Sequence, residues 1–464
     1  MTESAATNGV DSRIGAELDD ATVAEFKDNL HGEVLVPDDL AYDSARMIWN
    51  RLIDKRPALI ARCATADDVV RSVRFAREHD LAVAVRGGGH NIAGNCVCDG
   101  GLMIDLSPMK GIQVDPQRRT ARAQPGLTLG EFDRHTQANG LATTMGIASE
   151  VGIAGLTLGG GYGWLAGRYG LACDNLLSVA LVTAEGKHVS ASEGENAELF
   201  WGVRGGGANF GVITSFEYRL HTVGKVLGGM VLYAPTRDAL RFYDEFSSSC
   251  PDEVSTMGLL TTASQGNLAF AIVACHCGPI DEGEKALAPL RNFGPPLADM
   301  LEPRDYTDMQ SMTDEAWPQG RLYYWKSGLV RTLGDEAIDV FLEYAARKPT
   351  ALSVIGMQQL HGAAARMDAT RTAFPHRFDH YNCIAMLETE DHADVESGTA
   401  WSRKCYEAMR PFAERATYFN DLGEERKRLQ EAYGPSLERL RALKTEYDPT
   451  DFFRLNQLIK ATAA

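Results

Sequence analysis

Three glycine-dense segments constrain this chain more than any other feature: Arg86-Gly-Gly-Gly-His90, Gly152-Ile-Ala-Gly-Leu-Thr-Leu-Gly-Gly-Gly-Tyr-Gly163 and Arg204-Gly-Gly-Gly-Ala-Asn-Phe-Gly211. Glycine loses the most conformational freedom on folding, so such runs are expected where a backbone turns sharply or passes close to something. A concave run of peptide N–H groups also binds phosphate without side-chain charge. The first run follows the apolar stretch Leu81–Val85, and the third precedes Val212–Leu220, so both read as loops at strand ends. They do not fit G-x-G-x-x-G opening a helix after the first strand, and no phosphate loop, H-E-x-x-H or G-x-S-x-G is present. A tight turn explains any one of them alone. Three together predict loops lining one long, diphosphate-containing cofactor.

At 464 residues the chain exceeds the roughly 250–300 at which single cores stop growing, so at least two domains are expected. Its balance of 46 Lys+Arg against 63 Asp+Glu gives a formal charge of −17, which argues against nucleic acid or an anionic membrane as partner. The nine cysteines form no C-x-x-C pair and no dense framework, which predicts free thiols, a cytoplasmic location and no structural zinc. Cys275-His-Cys277 and Cys96-x-Cys98 supply at most two thiols on one face, so no metal site is expected. Glu17, Asp19, Asp20 and the run Glu388–Asp391 read as solvated surface.

Along the chain, residues 1–31 form an N-terminal segment with a short helix over Thr22–Asn29. A strand at Ala58–Ala61, a helix starting at Thr65-Ala-Asp-Asp68 and the strand Leu81–Val85 make a β-α-β unit that runs into the first glycine loop. Strands over Leu102–Leu106, Thr120–Ala123, Leu176–Thr183 and Val212–Leu220, with a helix from Thr128 to Asn139, complete a unit over 32–222. Residues 223–419 carry alternating segments at Leu227–Tyr233, Ser255–Thr262, Asn267–Cys277, Leu322–Leu329, Ala351–Leu360 and Asp379–Leu387, with helices at Thr236–Ser247 and Ala337–Arg347. That pattern predicts an antiparallel sheet backed by helices, and so an α+β protein. The tail, 420–464, reads as one charged helix over Glu424–Glu446 before Tyr447-Asp-Pro449.

With these motifs in order, the chain resembles the berberine-bridge-enzyme-like branch of the FAD-linked oxidases, within the fold of vanillyl-alcohol oxidase and p-cresol methylhydroxylase. RGGGH at 86–90, DGGLMIDLS at 99–107, GIAGLTLGGGYGWLAGRYGLACDNL at 152–176, LFWGVRGGGANFGVIT at 199–214 and YDPTDFFRLNQLI at 447–459 carry the likeness. It is nearest to bacterial, singly histidine-linked members such as 6-hydroxynicotine oxidase and polyketide-modifying flavin oxidases. The resemblance implies a PCMH-type FAD-binding domain drawn from both chain ends, around a central substrate domain. It implies flavin joined to His90, with Arg86, Gly87, Gly88, Gly89, Asn91, Gly94, Ser149, Val151, Gly152, Gly155, Gly159, Gly160, Gly161, Val212 and Asn456 around the cofactor. Relatives with a second cysteinyl link carry the thiol where this chain has Ala148, so a single bond is expected. Val151 stands where some relatives gate dioxygen, and Cys173 reads as a small buried hydrophobe.

The implied reaction removes a hydride from a carbon bearing oxygen or nitrogen in a small organic substrate, with dioxygen as acceptor and hydrogen peroxide as product. Thr417-Tyr-Phe-Asn420 resembles the family's Y-x-N element, which makes Tyr418 the candidate base, with Asn420 beside it. A tyrosine of ordinary pKa near 10 needs a cation or donors nearby before it accepts a proton at neutral pH. Lys326 is the candidate cation; on a strand it shares a face with Tyr324 while Tyr323 and Trp325 take the other, and the sequence leaves open which face meets the flavin. The alternatives are a nicotinamide dehydrogenase, which lacks its fingerprint here, and a silent or dehydrogenase-type flavoprotein of the same fold.

Overall fold

The computed structural model describes residues 18–264, 266–423, 428–455 and 459–461. Its first layer grows from a local signal. Thr65 Oγ1 accepts the Asp68 N–H (3.2 Å), and the Asp68 carboxylate accepts the Thr65 N–H (3.1 Å), a capping box that starts the helix Ala66–Glu78. Val69, Val73 and Ala76 recur at helical spacing and are fully buried, so this helix packs as the crossover between parallel strands. Leu59–Arg62 and Val83–Arg86 both flank Leu102–Asp105 in parallel, and Glu33–Leu35 pairs antiparallel with Leu59–Arg62. The first glycine loop leaves the carboxyl end of Val83–Arg86, where open parallel sheets form ligand crevices.

A five-stranded antiparallel sheet follows, ordered Ile112–Asp115, Thr120–Ala123, Val212–Arg219, Leu176–Val182, His188–Ser192. The third glycine loop therefore feeds its central strand. The eight-stranded antiparallel sheet lies entirely within residues 226–389, with Val226–Tyr233 near one edge and Leu322–Val330 at the other. Period-2 alternation splits this sheet in two. Val231, Ile272, Ile355, Ala385 and Val330 point outward into a core shared with the helices Arg237–Ser249, Asp335–Ala346 and Val395–Met409. Met257, Val273 and Cys275 point inward, against Ala142 and Trp164 from the glycine-loop half.

Three expectations need correction. The tail is two helices, Leu429–Tyr433 and Leu437–Tyr447, because Gly434 (φ +47°) and Pro435 break it; residues 424–427 lie outside the described part. Glu388 is no surface residue: it sits on the inner face and is buried, held by Arg321, while Glu390 and Asp391 are exposed. Lys326 pairs in register with outward-facing Ala385, so it lies on the helix-covered face, its Nζ 5.6 Å from the Tyr324 ring centre. The short edge strands Ala298–Asp299 and Glu302–Arg304 and the helices Ile280–Asn292 and Val395–Met409 are additions to the sequence reading, although both helices are as amphipathic as Asp335–Ala346, which it contains.

Candidate active site

The three glycine segments converge. Gly87, Gly88 and Gly89, then Gly152 and Gly155, then Gly207 and Gly211, line one cleft. Two of the loops touch backbone to backbone: a β-carbon on Gly152 would lie 2.4 Å from the Gly88 nitrogen. Any side chain there would force the loops apart, which explains glycine at both positions. His90, Asn91, Val151 and Val212 also line the cleft. Asn95, Cys96, Ala208 and Phe419 join them; the sequence reading missed these, although Ala208 lies inside the third motif.

His90 is oriented by its neighbours. Its ring stacks on Trp49 at 5.3 Å, and Trp49 stacks in turn on Tyr323 at 3.7 Å. Trp49 N–H donates to the Gly89 carbonyl (3.1 Å), which ties this wall to the glycine loop. Burial pushes the His90 imidazole down to about 4, with Arg86 adding to it, against hydrogen bonding to the Glu150 backbone. At neutral pH the ring is uncharged, and a neutral imidazole keeps a lone pair for nucleophilic attack.

Other anticipated cofactor residues do different work. Arg86 donates to the Ala45 carbonyl and stands 3.9 Å from Asp105, so it braces the loop from behind. Gly94 (φ +66°) packs against Ile53 rather than lining the cleft. Ser149 is taken up by Asp314, which accepts its N–H at 2.8 Å and its hydroxyl at 2.5 Å. Asn456 lies outside the described residues.

The tail of the second glycine segment seats the Y-x-N element instead of the cleft. A β-carbon on Gly159 would fall 2.0 Å from Asn420 Oδ1, and one on Gly160 (φ +123°) would meet Phe374 and Tyr418. Gly161 N–H donates to Tyr418 Oη (3.0 Å), as does Asn420 Nδ2 (2.8 Å). Asn420 lines the cleft, so it bridges the cofactor wall to the tyrosine. Tyr162 stacks on Tyr418 at 4.2 Å. His380 Nδ1 lies 2.7 Å from the Phe378 carbonyl and so carries the proton, which makes the Tyr162 hydroxyl the donor to His380 Nε2 (3.0 Å).

Electrostatics here run against a tyrosinate. Burial raises the Tyr418 pKa, and the neighbouring Asp421 charge raises it further, outweighing the two donors. Lys326, on the far face of the sheet, is not brought to it. Asp421 itself is missing from the sequence reading because nothing in its spacing marks it. Asn382 Nδ2 donates to its Oδ2 (2.6 Å), and Trp325 Nε1 donates to its carbonyl (3.3 Å). Burial pushes its carboxyl up to about 6, against the Asn382 and Ser327 side chains and the Arg428 charge. Among the described residues no cluster of His, Cys, Asp and Glu could hold a metal ion, and no helix is long and apolar enough to cross a membrane.

Comparison with known proteins agrees with this geometry. The sequence profile described as FAD binding domain matches residues 57–192, and that described as berberine and berberine like matches residues 417–460. (R)-6-hydroxynicotine oxidase of Paenarthrobacter nicotinovorans is 32% identical over 447 residues, covering 92% of this chain and 96% of its own. An FAD-linked oxidoreductase of Dictyostelium discoideum is 30% identical, covering 94% and 96%. The crystal structure of 6-hydroxy-D-nicotine oxidase from Arthrobacter nicotinovorans superposes with a TM-score of 0.85 at 30% identity, over 93% of this chain and 98% of that one. Chitooligosaccharide oxidase shares the fold, with a TM-score of 0.85 at 23% identity over 95% and 100%.

Proposed function

Since the chain belongs to the berberine-bridge-enzyme-like FAD-linked oxidoreductases, we propose that it is an oxidase that takes a hydride from an oxygen- or nitrogen-bearing carbon of a small organic substrate. The observation that carries this reading is the convergence of three side-chain-free loops on one cleft, with a neutral imidazole on its wall and the Y-x-N element at its edge. Bound flavin would supply the hydride acceptor and, through dioxygen, give hydrogen peroxide.

The chain's own residues then have separable tasks. The amides of Gly87 to Gly89 and of Gly152, Ala154 and Gly155 line the cleft and offer donors to a diphosphate without bringing a charge of their own. His90 offers its free nitrogen to the 8α carbon of the cofactor, and Ala148 leaves no thiol for a second bond. Asn420 joins cleft and substrate side. The sheet's inner face presents half-buried Trp325, Ile384, Leu259 and Gln358 on that side, where they would orient the donor carbon. All nine cysteines are free thiols, which supports a reducing compartment, the cytoplasm.

The purified protein should show flavin absorbance that bleaches with a reducing donor and recovers in air with peroxide. An acid-precipitated pellet should stay yellow, and His90→Ala should release its flavin into the supernatant. A white wild-type pellet removes the covalent bond. A colourless protein that takes up no added FAD removes the reading. Flavin that reduces but does not recover in air marks a dehydrogenase instead.

A further inference from the structure

We propose that a second cavity, faced by Arg204, Arg219 and Arg371, binds a phosphate group, free or borne by a small phosphomonoester, at a site separate from the flavin cleft.

The cavity shares no lining residue with that cleft. Arg204 follows the helix Ala197–Val203, Arg219 ends the strand Val212–Arg219, and Arg371 lies on the connection from Val354–Leu360 to His380–Thr389. Three guanidinium groups from three parts of the chain thus face one concavity, in a protein whose formal charge is −17. Like charges gathered in this way repel, and the carboxylates beside them offset only part of that.

Two carboxylates line the same cavity, and one of them is already matched. Asp174 is held by Arg377 through bonds of 2.8 and 2.7 Å, with both side chains 1% exposed. Glu193 is exposed and stands 3.6 Å from Arg371, a loose surface contact. Setting Arg377 against Asp174 and Arg371 against Glu193 leaves Arg204 and Arg219 as two uncompensated positive charges. A phosphate monoester carries close to two negative charges at neutral pH, with three oxygens to accept from three forks. A carboxylate offers two oxygens and one charge.

Arg204 is the prearranged part. It is 9% exposed, with its guanidinium 4.2 Å from the centre of the Phe200 ring. Nε donates to the Phe200 carbonyl (3.3 Å) and Nη2 to the Arg371 carbonyl (3.0 Å), which fixes the plane of the fork. Among the described residues no carboxylate pairs with it, and Nη1, which is not sealed off, has no hydrogen-bond partner. Burial lowers its pKa, yet a guanidinium stays protonated at neutral pH. An oxyanion at Nη1 would relieve this half-buried charge. Arg219 is exposed, and among the described residues its side chain makes no ion pair or hydrogen bond, so it is free to swing onto the same oxyanion. The Arg204 carbonyl also accepts the Phe374 N–H (3.3 Å), so Arg204 already meets the 371–374 segment through backbone bonds in both directions. An anion held by Arg204 and Arg371 adds a bridge across that seam and stabilises the folded chain by mass action.

The test uses the flavin-loaded full chain, dialysed free of phosphate. Inorganic phosphate, glycerol 2-phosphate and citrate are titrated at constant ionic strength, with sodium chloride as the matched control. Calorimetry should show saturable one-to-one binding of phosphate or glycerol 2-phosphate, and the melting temperature should rise with it. The tighter binder of the two identifies the source as free phosphate or a phosphomonoester. Arg219→Gln and Arg371→Gln, both at exposed positions, should each weaken binding about tenfold or more. Glu193→Gln removes a competing carboxylate and should tighten binding about threefold, which keeps the test standing if an arginine variant folds poorly. No saturable binding over the chloride control at roughly 10 mM ligand, unchanged affinity in both arginine variants, Glu193→Gln binding no tighter than wild type, or citrate binding tighter than phosphate would each overturn the assignment. None of these residues lines the flavin cleft, so the result stands apart from the oxidase reading.

Discussion

Asp133 is the residue whose environment is hardest to reconcile with a charge. Its side chain is fully buried on the helix Leu129–Gln137, and neither carboxyl oxygen has a hydrogen-bond partner among the described residues. Burial alone holds its pKa well above the usual carboxylate range. In the unfolded chain the group titrates near 3.9, so above about pH 4 the folded state retains a proton that the unfolded state has lost. Stability therefore falls as pH rises through that window, by up to about 1.4 kcal/mol per pH unit for this group. Asp133→Asn removes the effect: urea unfolding at pH 5 and pH 8 should show the variant's advantage over wild type growing with pH. A gap that is constant with pH would mean the carboxyl ionises freely in the folded protein. None of this was legible in the sequence, where Asp133 is one of 63 acidic residues. By contrast the glycines were legible, because few other needs justify their cost.

Elements were readable where local chemistry decides them. Thr65 with Asp68 announced a helix start, and the alternation of Leu227–Tyr233 announced a strand that the structure extends by one residue at its start, to Val226. The face that a strand presents was not readable for Lys326, because register depends on partners about 60 residues away. The break at Gly434-Pro435 was overlooked although both residues signal it. Beyond that break the helix Leu437–Tyr447 is anchored by a fully buried pair. Lys444 Nζ donates to Asp448 Oδ2 (2.6 Å), to the Asn209 carbonyl (2.9 Å) and to the Phe453 carbonyl (3.1 Å). The ammonium thus pins the tail onto the third glycine segment. Lys444→Met would leave the Asp448 carboxylate buried with, among the described residues, only the Phe452 and Phe453 N–H groups, a loss of about 3–5 kcal/mol. Denaturant melts should show that loss, and Lys444→Met/Asp448→Asn should recover part of it. Equal losses in the single and double variants would mean packing, not charge, is the cause.

Across the whole molecule the sequence-distant halves meet through another buried pair. Arg377 forks onto Asp174 with bonds of 2.8 and 2.7 Å, both side chains 1% exposed, and also reaches the Thr372 hydroxyl (2.7 Å) and the Ala364 carbonyl (3.0 Å). Asp174 follows the second glycine segment, while Arg377 precedes the strand that carries Asn382. The bidentate geometry fixes direction as well as distance. Arg377→Lys keeps the charge and loses the fork, so it should lower the melting temperature and raise the KM of any donor more than it lowers kcat. A variant with wild-type KM would show that the fork does not place the sheet's inner face. The likeness to known oxidases covers both residues, Asp174 at the end of the 152–176 motif and Arg377 in Pro375-His376-Arg377, but nothing in the sequence pairs them across 203 positions.

The cleft also has a consequence for how the protein is made. Its glycines all precede residue 212, yet Phe419 and Asn420, which close its rim, come some 200 positions later. A ribosome that has delivered the first 400 residues has made every loop of the cradle and none of its far wall. Flavin capture therefore belongs to the finished polypeptide, and a nascent chain offers the cofactor only an open trough.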